Sequence, residues 1–536
     1  MIRSSDDISR GLAAPRAARA IEPGVRLHVM GVGGAASAGA ALHAAALGAV
    51  VTACDAGGPD QLTDAVLEAG IPILWANDAA HIASFGNAAV QRLAVTKAVT
   101  SVRPDHPELL AANAYGVEPE SVQQVIADAA ATGGRRLIGV TGTHGKSTTS
   151  GWLLHVLAAA GGDPSGFVGA PLPHGLSGSS SASVARIGTG GDFVVEADEY
   201  AGNFDPYRPA IGLLVSAEWD HPDVFADQGA VSATFAAWIV RFEGASSDER
   251  PILVANAGDP GVTDVLELLA GWPGERILVR LLGPDDADAA PERDMEARPG
   301  IRHIHGRLVG EDGLGAELEI VGLRADPRSR DRVPIRLVGA HMAVDGLMAA
   351  AGALAAGVAA DDIIAGLATF EGVGRRLELK GDVGGVVVLD DYAHHPTAMR
   401  ATFAAVRQRY PGRRLWAVYE PLTYHRTAAM LDAFADVLAT ADRSAIVDIW
   451  PVRDPDTTIT SAEALAEAVG RRGGPPSMAT GSPEVSGLRL AELVEPGDVV
   501  LVMGGGRSYV AAERLVDALK ARREGRAPQA GTASPS

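Results

Sequence analysis

The stretch RRLIGVTGTHGKSTTSGWLLHVLAAAGG, residues 135–162, constrains the fold more than any other part of the chain. An apolar strand runs through a glycine turn into a long apolar helix. A strand that feeds a helix in this way belongs to a parallel sheet, so the chain is committed to an α/β architecture. The turn also has a chemical consequence. Backbone N–H groups of Gly142, Thr143, His144, Gly145 and Thr148 converge at the positive end of the helix, where phosphate oxygens are favoured. Lys146 can reach β- and γ-phosphates, and the hydroxyl of Ser147 can ligate Mg²⁺. Val140 stands where a standard Walker loop has its first glycine, which sets aside motor ATPases and kinases of that class.

Acids follow on the next strands. DFVVEAD runs into Glu196-Ala197-Asp198-Glu199-Tyr200, and AIGLLVSAEWD ends at Asp220-His221. The C-terminal ends of neighbouring parallel strands open on one crevice, so these groups are expected beside the phosphate loop. A divalent metal is the obvious way to keep a triphosphate and a substrate carboxylate from repelling each other. PILVAN at 251–256 reads as a further strand. The charged, Pro-rich stretch 284–334 reads as excursion hairpins outside the sheet core, and 341–356 as an Ala-rich helix.

Similar alternations lie on both sides. VRLHVMGVGG, an Ala-rich stretch and AVVTACD form strand, glycine turn, helix, strand and acid. Gly31, Gly33 and Gly34, with Asp55 some twenty residues on, suit a nucleotide pyrophosphate at a helix start. From residue 374 a third set of strands and helices ends at DVVLVMGGG. The expected architecture is therefore three consecutive α/β domains. A flexible leader (1–23) precedes a Rossmann-like domain at 24–134 and a central P-loop-type ATPase domain with a mostly parallel sheet at 135–373. A Rossmann-like C-terminal domain at 374–516 and a disordered tail (517–536) complete the chain.

Composition removes several classes of function. A net charge of −20 argues against nucleic acid or an acidic membrane surface as partner. Cys54 is the only cysteine, which excludes an internal disulfide and argues against a cysteine-based metal cluster. No run of 18 apolar residues appears and MIRSSDDISR has no apolar signal core, so a soluble cytoplasmic protein is expected. Among 46 basic residues, lysine occurs only at Lys97, Lys146, Lys380 and Lys520. Lys146 has a reason to be a compact cation, whereas Lys97 and Lys520 read as incidental.

In combination these motifs resemble the Mur ligase family, the cytoplasmic ligases of peptidoglycan synthesis, over roughly residues 25–515. GTHGKSTT is similar to that family's ATP loop, EADEY with EWDH to its metal-binding strands, and GVGRRLE (372–378) to the approach to its third domain. DDYAHHPT (390–397) and EPLTYHRT (420–427) resemble third-domain motifs. The resemblance implies ATP and Mg²⁺ as cofactors, UDP-N-acetylmuramate as acceptor, and an amine, L-alanine slightly ahead of a recycled tripeptide. It implies an acyl-phosphate intermediate and a monomer or homodimer. Ser147 and Glu196 would hold one metal ion and His221 a second. Arg376 would approach the γ-phosphate through hinge closure, Asp391 would meet the ribose, and His394, His395 and Arg426 would line the amine side.

The chain departs from the family pattern at Met342 and Asp345, where asparagines are usual, the second of them on adenine. It departs again at Ser216 in place of asparagine and at Leu422 in place of histidine. These losses motivate a competing reading as a non-catalytic nucleotide-binding paralogue. A Rossmann dehydrogenase, suggested by the GVGG turn, leaves the phosphate loop unexplained.

Overall fold

The computed structural model describes residues 3–525 except 84–88, 284–299, 312, 314, 327, 452–453, 455 and 475. It forms three α/β sheet domains in two compact units, Met1–Gly374 and Arg375–Ser536.

In the first unit, five parallel strands lie in the order Ile73–Leu74, Val50–Cys54, Arg26–Met30, Arg92–Val95, Pro119–Ser121. The helix Ala35–Ala46 covers them, and its alanines serve close approach on two sides. Ala38, Ala40, Ala41 and Ala44 are buried in one core with residues of the second sheet. His43 Nε2 lies 3.0 Å from the carbonyl of Gly166, and a Cβ on Gly39 would stand 2.5 Å from Phe167. Small side chains are what let the two sheets share this helix.

The leader expected to be loose is anchored. Ile8 is fully buried, beside Tyr200 and Ala201. Arg16 grips both oxygens of Asp128 at 2.9 and 2.7 Å and reaches Glu120 at 3.0 Å. Arg16, one of the arginines that gave this segment its polar look, is thus a partner for two buried acids that also take Arg92.

The central sheet has ten strands, ordered Arg330–Ile335, Ala316–Val321, Ile301–Glu311, Glu275–Leu282, Ile252–Asn256, Ile211–Leu214, Arg136–Thr141, Asp192–Glu196, Ser165–Leu172, Ser183–Arg186. The seven from Ile301–Glu311 to Ser165–Leu172 are parallel, with antiparallel strands at both edges. The stretch expected as excursion hairpins therefore extends the sheet: Ile304, Leu318 and Ile320 are fully buried because period-two alternation gives those strands an apolar face. Residues 284–299 of that stretch lie outside the described residues. The strand before the phosphate loop runs between the two acid-tipped strands, so their ends meet at the loop. The helix Lys146–Ala159 is buried from Ser147 to Leu154 and again at Val156 and Leu157, because it packs on the sheet and against the helices Ala340–Ala355 and Ala360–Thr369.

The second unit has one sheet, ordered Glu378–Val383, Val386–Asp391, Asp498–Gly504, Arg414–Glu420, Arg443–Val447, Ser477–Gly481, parallel except for the first. The helices Pro396–Arg409 and Ser508–Arg523 pack on opposite faces. Their parent strands are neighbours, so a crevice opens at Asp391, Gly504 and Glu420. The tail expected from residue 517 begins inside the helix Ser508–Arg523, where Leu519 packs into the core, and 526–536 lie outside the described residues.

Candidate active site

The phosphate loop is set by two glycines that no other residue could replace without strain. Gly142 has φ 141° and no room for a Cβ, which would meet the backbone of Ser216 at 2.7 Å. Gly145 has φ 80°, and its Cβ would lie 2.4 Å from Asp345 Oδ1 and 2.7 Å from Val215 Cγ1. The loop is stapled to the next strand end. Thr143 N–H donates to the Ser216 carbonyl at 3.2 Å, and His144 N–H to Ser216 Oγ at 2.8 Å. Ser216, standing where the family has asparagine, thus bonds the loop itself. Those two amides are committed, which corrects the expectation that Thr143 and His144 cradle phosphate through their backbone. The helix-opening amides from Lys146 to Thr148 are left for that task.

Lys146 donates to the Gly142 carbonyl at 2.6 Å and to Glu199 Oε2 at 3.0 Å, with Asp198 at 3.7 Å. It is a half-buried cation in an acidic recess, not an exposed loop residue. Burial opposes its charge, but Glu199, Asp198 and Glu196 outweigh burial and raise its pKa. Glu199 is 2% exposed, and burial, with Asp198 adding, raises its carboxyl against the pull of Lys146.

His221 faces the same recess. Its Nε2 lies 3.6 Å from Glu199 Oε1, and its ring packs edge-on against Tyr200 at 5.0 Å. His221 has φ 53° and Ala201 φ 48°, left-handed values that non-glycine residues adopt only when their surroundings impose them. Ligand atoms of Asp198, Glu199 and His221 fall within 4.8 Å of one another, a set that suits a divalent cation. Glu196, expected in this role, accepts the N–H of Gly169 at 2.6 Å on one oxygen and lies near enough to help raise the Lys146 pKa. Asp198 and Glu199 were the residues sequence reasoning missed, although both stand in the EADEY motif it singled out. Lys97 was misread as incidental: it is buried and donates to the carbonyl of strained Ala201 at 2.5 Å.

In the first domain Gly31, Gly33, Gly34 and Asp55 converge as expected, but the acid serves the turn. Asp55 accepts the N–H groups of Gly33 and Gly57, both at 2.7 Å.

In the second unit, adjacent arginines have opposite fates. Arg375 is buried, bonded to Asp390, Gly504, Gly506 and Ser508, and stacked on Tyr392 and Tyr509. Arg376 lies over the Tyr392 ring with its Nε unpartnered. Asp391 is buried and accepts the N–H groups of Leu377 and Ala393 at 2.9 and 2.8 Å, so it clamps the start of this domain rather than standing open for a ribose. His395 caps the helix Pro396–Arg409 through Thr397 N–H, His394 bonds the Tyr392 carbonyl, and Arg426 is 2% exposed. Sequence reasoning also missed Glu420, at the end of a central strand. It is 1% exposed, neither oxygen makes an aligned hydrogen bond, and burial lifts its carboxyl to about 7 against the Ser508 amide and Arg375.

A parallel sheet whose central strand opens into a glycine phosphate loop, flanked by acids and a histidine, defines a nucleotide-dependent enzyme of the phosphate-loop kind. Comparison with known proteins narrows this. The family model described as "Mur ligase family, catalytic domain" matches residues 26–133, and "Mur ligase, glutamate ligase domain" matches 375–506. A UDP-N-acetylmuramate–L-alanine ligase from Frankia casuarinae is 32% identical, covering 92% of this chain and 97% of the relative. One from Kineococcus radiotolerans is 34% identical, covering 93% and 97%. The fold is that of the UDP-N-acetylmuramate–alanine ligase from Thermotoga maritima, with TM-score 0.71 at 18% identity over 93% of this chain and 99% of that one. The chain belongs to the Mur ligase family.

Proposed function

We propose that this chain uses ATP to join L-alanine to the carboxylate of UDP-N-acetylmuramate in peptidoglycan synthesis. The observation that carries this reading is Lys146, held between the phosphate-loop backbone and the recess of Asp198, Glu199 and His221. The relatives' shared activity supports it. The carboxylate takes the γ-phosphoryl group and ADP departs. The amine then attacks the acyl phosphate and inorganic phosphate leaves. Lys146 stabilises charge on the transferring group, and nucleotide binding frees it from Gly142. Asp198, Glu199 and His221, together with Ser147 and Glu196, would hold Mg²⁺, which screens phosphate from carboxylate. The turn Gly31–Gly34 takes the UDP-sugar. Arg376 supplies a cation, and Glu420, His394, His395 and Arg426 form the side of the amine.

Among the described residues no helix is long and apolar enough to cross a membrane. The test is phosphate release from ATP that requires both UDP-N-acetylmuramate and L-alanine. Release that needs the recycled tripeptide instead overturns the choice of amine. ATP binding without release under any pairing leaves a nucleotide-binding paralogue.

A further inference from the structure

Beneath the glycine turn of the first sheet lies a cluster of metal-ligating side chains for which the ligase reaction has no use. Cys54 ends the strand Val50–Cys54, and His28 lies on its neighbour Arg26–Met30. His81 comes from the short helix Ala80–Ala83 and Glu108 from the helix Pro107–Ala114. One ligand atom from each falls within 4.8 Å of all the others. Cys54 Sγ is 3.2 Å from Glu108 Oε2, His28 Nε2 is 3.4 Å from the same oxygen, and His81 Nδ1 is 3.0 Å from Oε1. Bond lengths of about 2.0–2.3 Å in a tetrahedral zinc site place ligand atoms roughly 3.4 Å apart, close to these separations.

The details around the cluster are those of a built site. His28, Cys54 and Glu108 are sealed from solvent, and Met30, Ile82, Leu93, Val95 and Leu109 surround them. His28 Nδ1 is fixed by Thr52 Oγ1 at 2.8 Å, while its buried Nε2, turned toward Glu108 in the cluster, makes no aligned hydrogen bond. A ligating histidine is commonly oriented in this way by a bond to its other nitrogen. Glu108 Oε1 is steadied by Asp78 N–H at 3.2 Å. Charge agrees as well. A thiolate and a carboxylate neutralise one divalent ion, two neutral imidazoles complete four ligands, and an apolar core then holds no net charge.

We propose that His28, Cys54, His81 and Glu108 form a structural site for a divalent transition-metal ion of the zinc class. Binding expels the thiol proton to solvent and leaves no open position for substrate. The ion ties together two strands and two helices at the base of the glycine turn, since the Cys54 carbonyl accepts the N–H groups of Gly31 and Val32 at 2.9 and 3.1 Å. One cysteine cannot make a thiolate-rich cluster, and the fold surrounds it with ligands from distant segments. The inference stands apart from the ligase reading.

The full chain, stripped with a chelator and titrated with Co²⁺, tests it. Cys54 is the only cysteine, so a thiolate-to-cobalt charge-transfer band has one source even if the acidic recess binds the same ion. The expected result is a band that saturates at one equivalent and is displaced by Zn²⁺, with a higher melting temperature when Zn²⁺ is bound. Cys54→Ser, nearly isosteric, should stay folded, lose the band and show a smaller thermal shift than wild type. Thr52→Val should keep the band but weaken affinity roughly tenfold. A folded wild-type chain with no band at saturating Co²⁺ overturns the proposal. So does a band of unchanged affinity in folded His28→Gln and His81→Gln, because the thiol would then bind cobalt without its neighbours.

Discussion

Replacing Lys146 with alanine removes a cation that has two separable jobs. As an exposed loop residue it would matter only to phosphoryl transfer, and the variant would keep its stability. The recess gives a different expectation. Glu199, 2% exposed and 3.0 Å from Lys146 Nζ, would be left beside Asp198 with only the His221 ring, 3.6 Å away, to offset its charge. Stranding one partner of a buried pair costs about 3–5 kcal/mol. Glu199 already inclines toward the neutral form, so the loss should fall near ~3 kcal/mol. Glu199→Gln in the same chain removes the stranded charge and should restore most of that loss, while the lysine needed for transfer stays absent. Urea unfolding and phosphate release, measured on wild type, both single variants and the double variant, separate the two jobs. The expected pattern is a double variant markedly more stable than Lys146→Ala, with kcat for both more than tenfold below wild type, over ~1.4 kcal/mol of barrier. If Lys146→Ala unfolds at the wild-type urea midpoint, or the second substitution recovers nothing, the recess is not where Lys146 resides.

Gly145→Ala forces a left-handed alanine, about 1–2 kcal/mol, against Asp345 and Val215. ATP KM should rise at least tenfold, and an unchanged KM would falsify the loop geometry. Asp345→Asn replaces a carboxylate that stands against the phosphate loop, so ATP KM should fall roughly tenfold and selectivity over GTP should sharpen; an unmoved KM and preference would place adenine recognition elsewhere. Arg375→Ala should destabilise the second unit by about 3–5 kcal/mol by abandoning buried Asp390, whereas Arg376→Ala should leave the melting temperature near wild type and cut kcat more than tenfold. Burial, against Asp205 and Asp198, holds the Lys97 ammonium at about 8, below its ordinary 10.5. Between those values the unfolded chain keeps a proton that the folded chain has shed, so stability should rise with pH through that window by roughly 3 kcal/mol. Lys97→Met should flatten the rise, and a rise that persists in that variant clears Lys97 of it.

Local pattern made much of this protein legible. The strand, glycine turn and helix at 136–159 announced both the parallel sheet and its phosphate loop, because a turn of that kind needs glycine within a few residues. The EADEY and EWDH motifs were found because acids at strand ends face the same crevice. Sequence could not rank the acids within EADEY. Glu196 leaves its strand toward Gly169, and Glu199 turns toward Lys146, a choice made by the chain's course after the strand.

Period, glycine spacing and charge are properties of a segment, so the sequence alone determined three α/β domains, the place of the phosphate loop and the elements that bear the acids. Partners are properties of the packed chain. Only the tertiary structure decided that the arginine-bearing leader closes on Asp128, that the stretch after residue 300 joins the central sheet, and that Lys97 reaches a strained carbonyl. Only it brought the single cysteine to two histidines and a glutamate from other segments. Residues separated by tens of positions carry no mark of one another until burial makes each supply the other's missing hydrogen bond, charge or ligand.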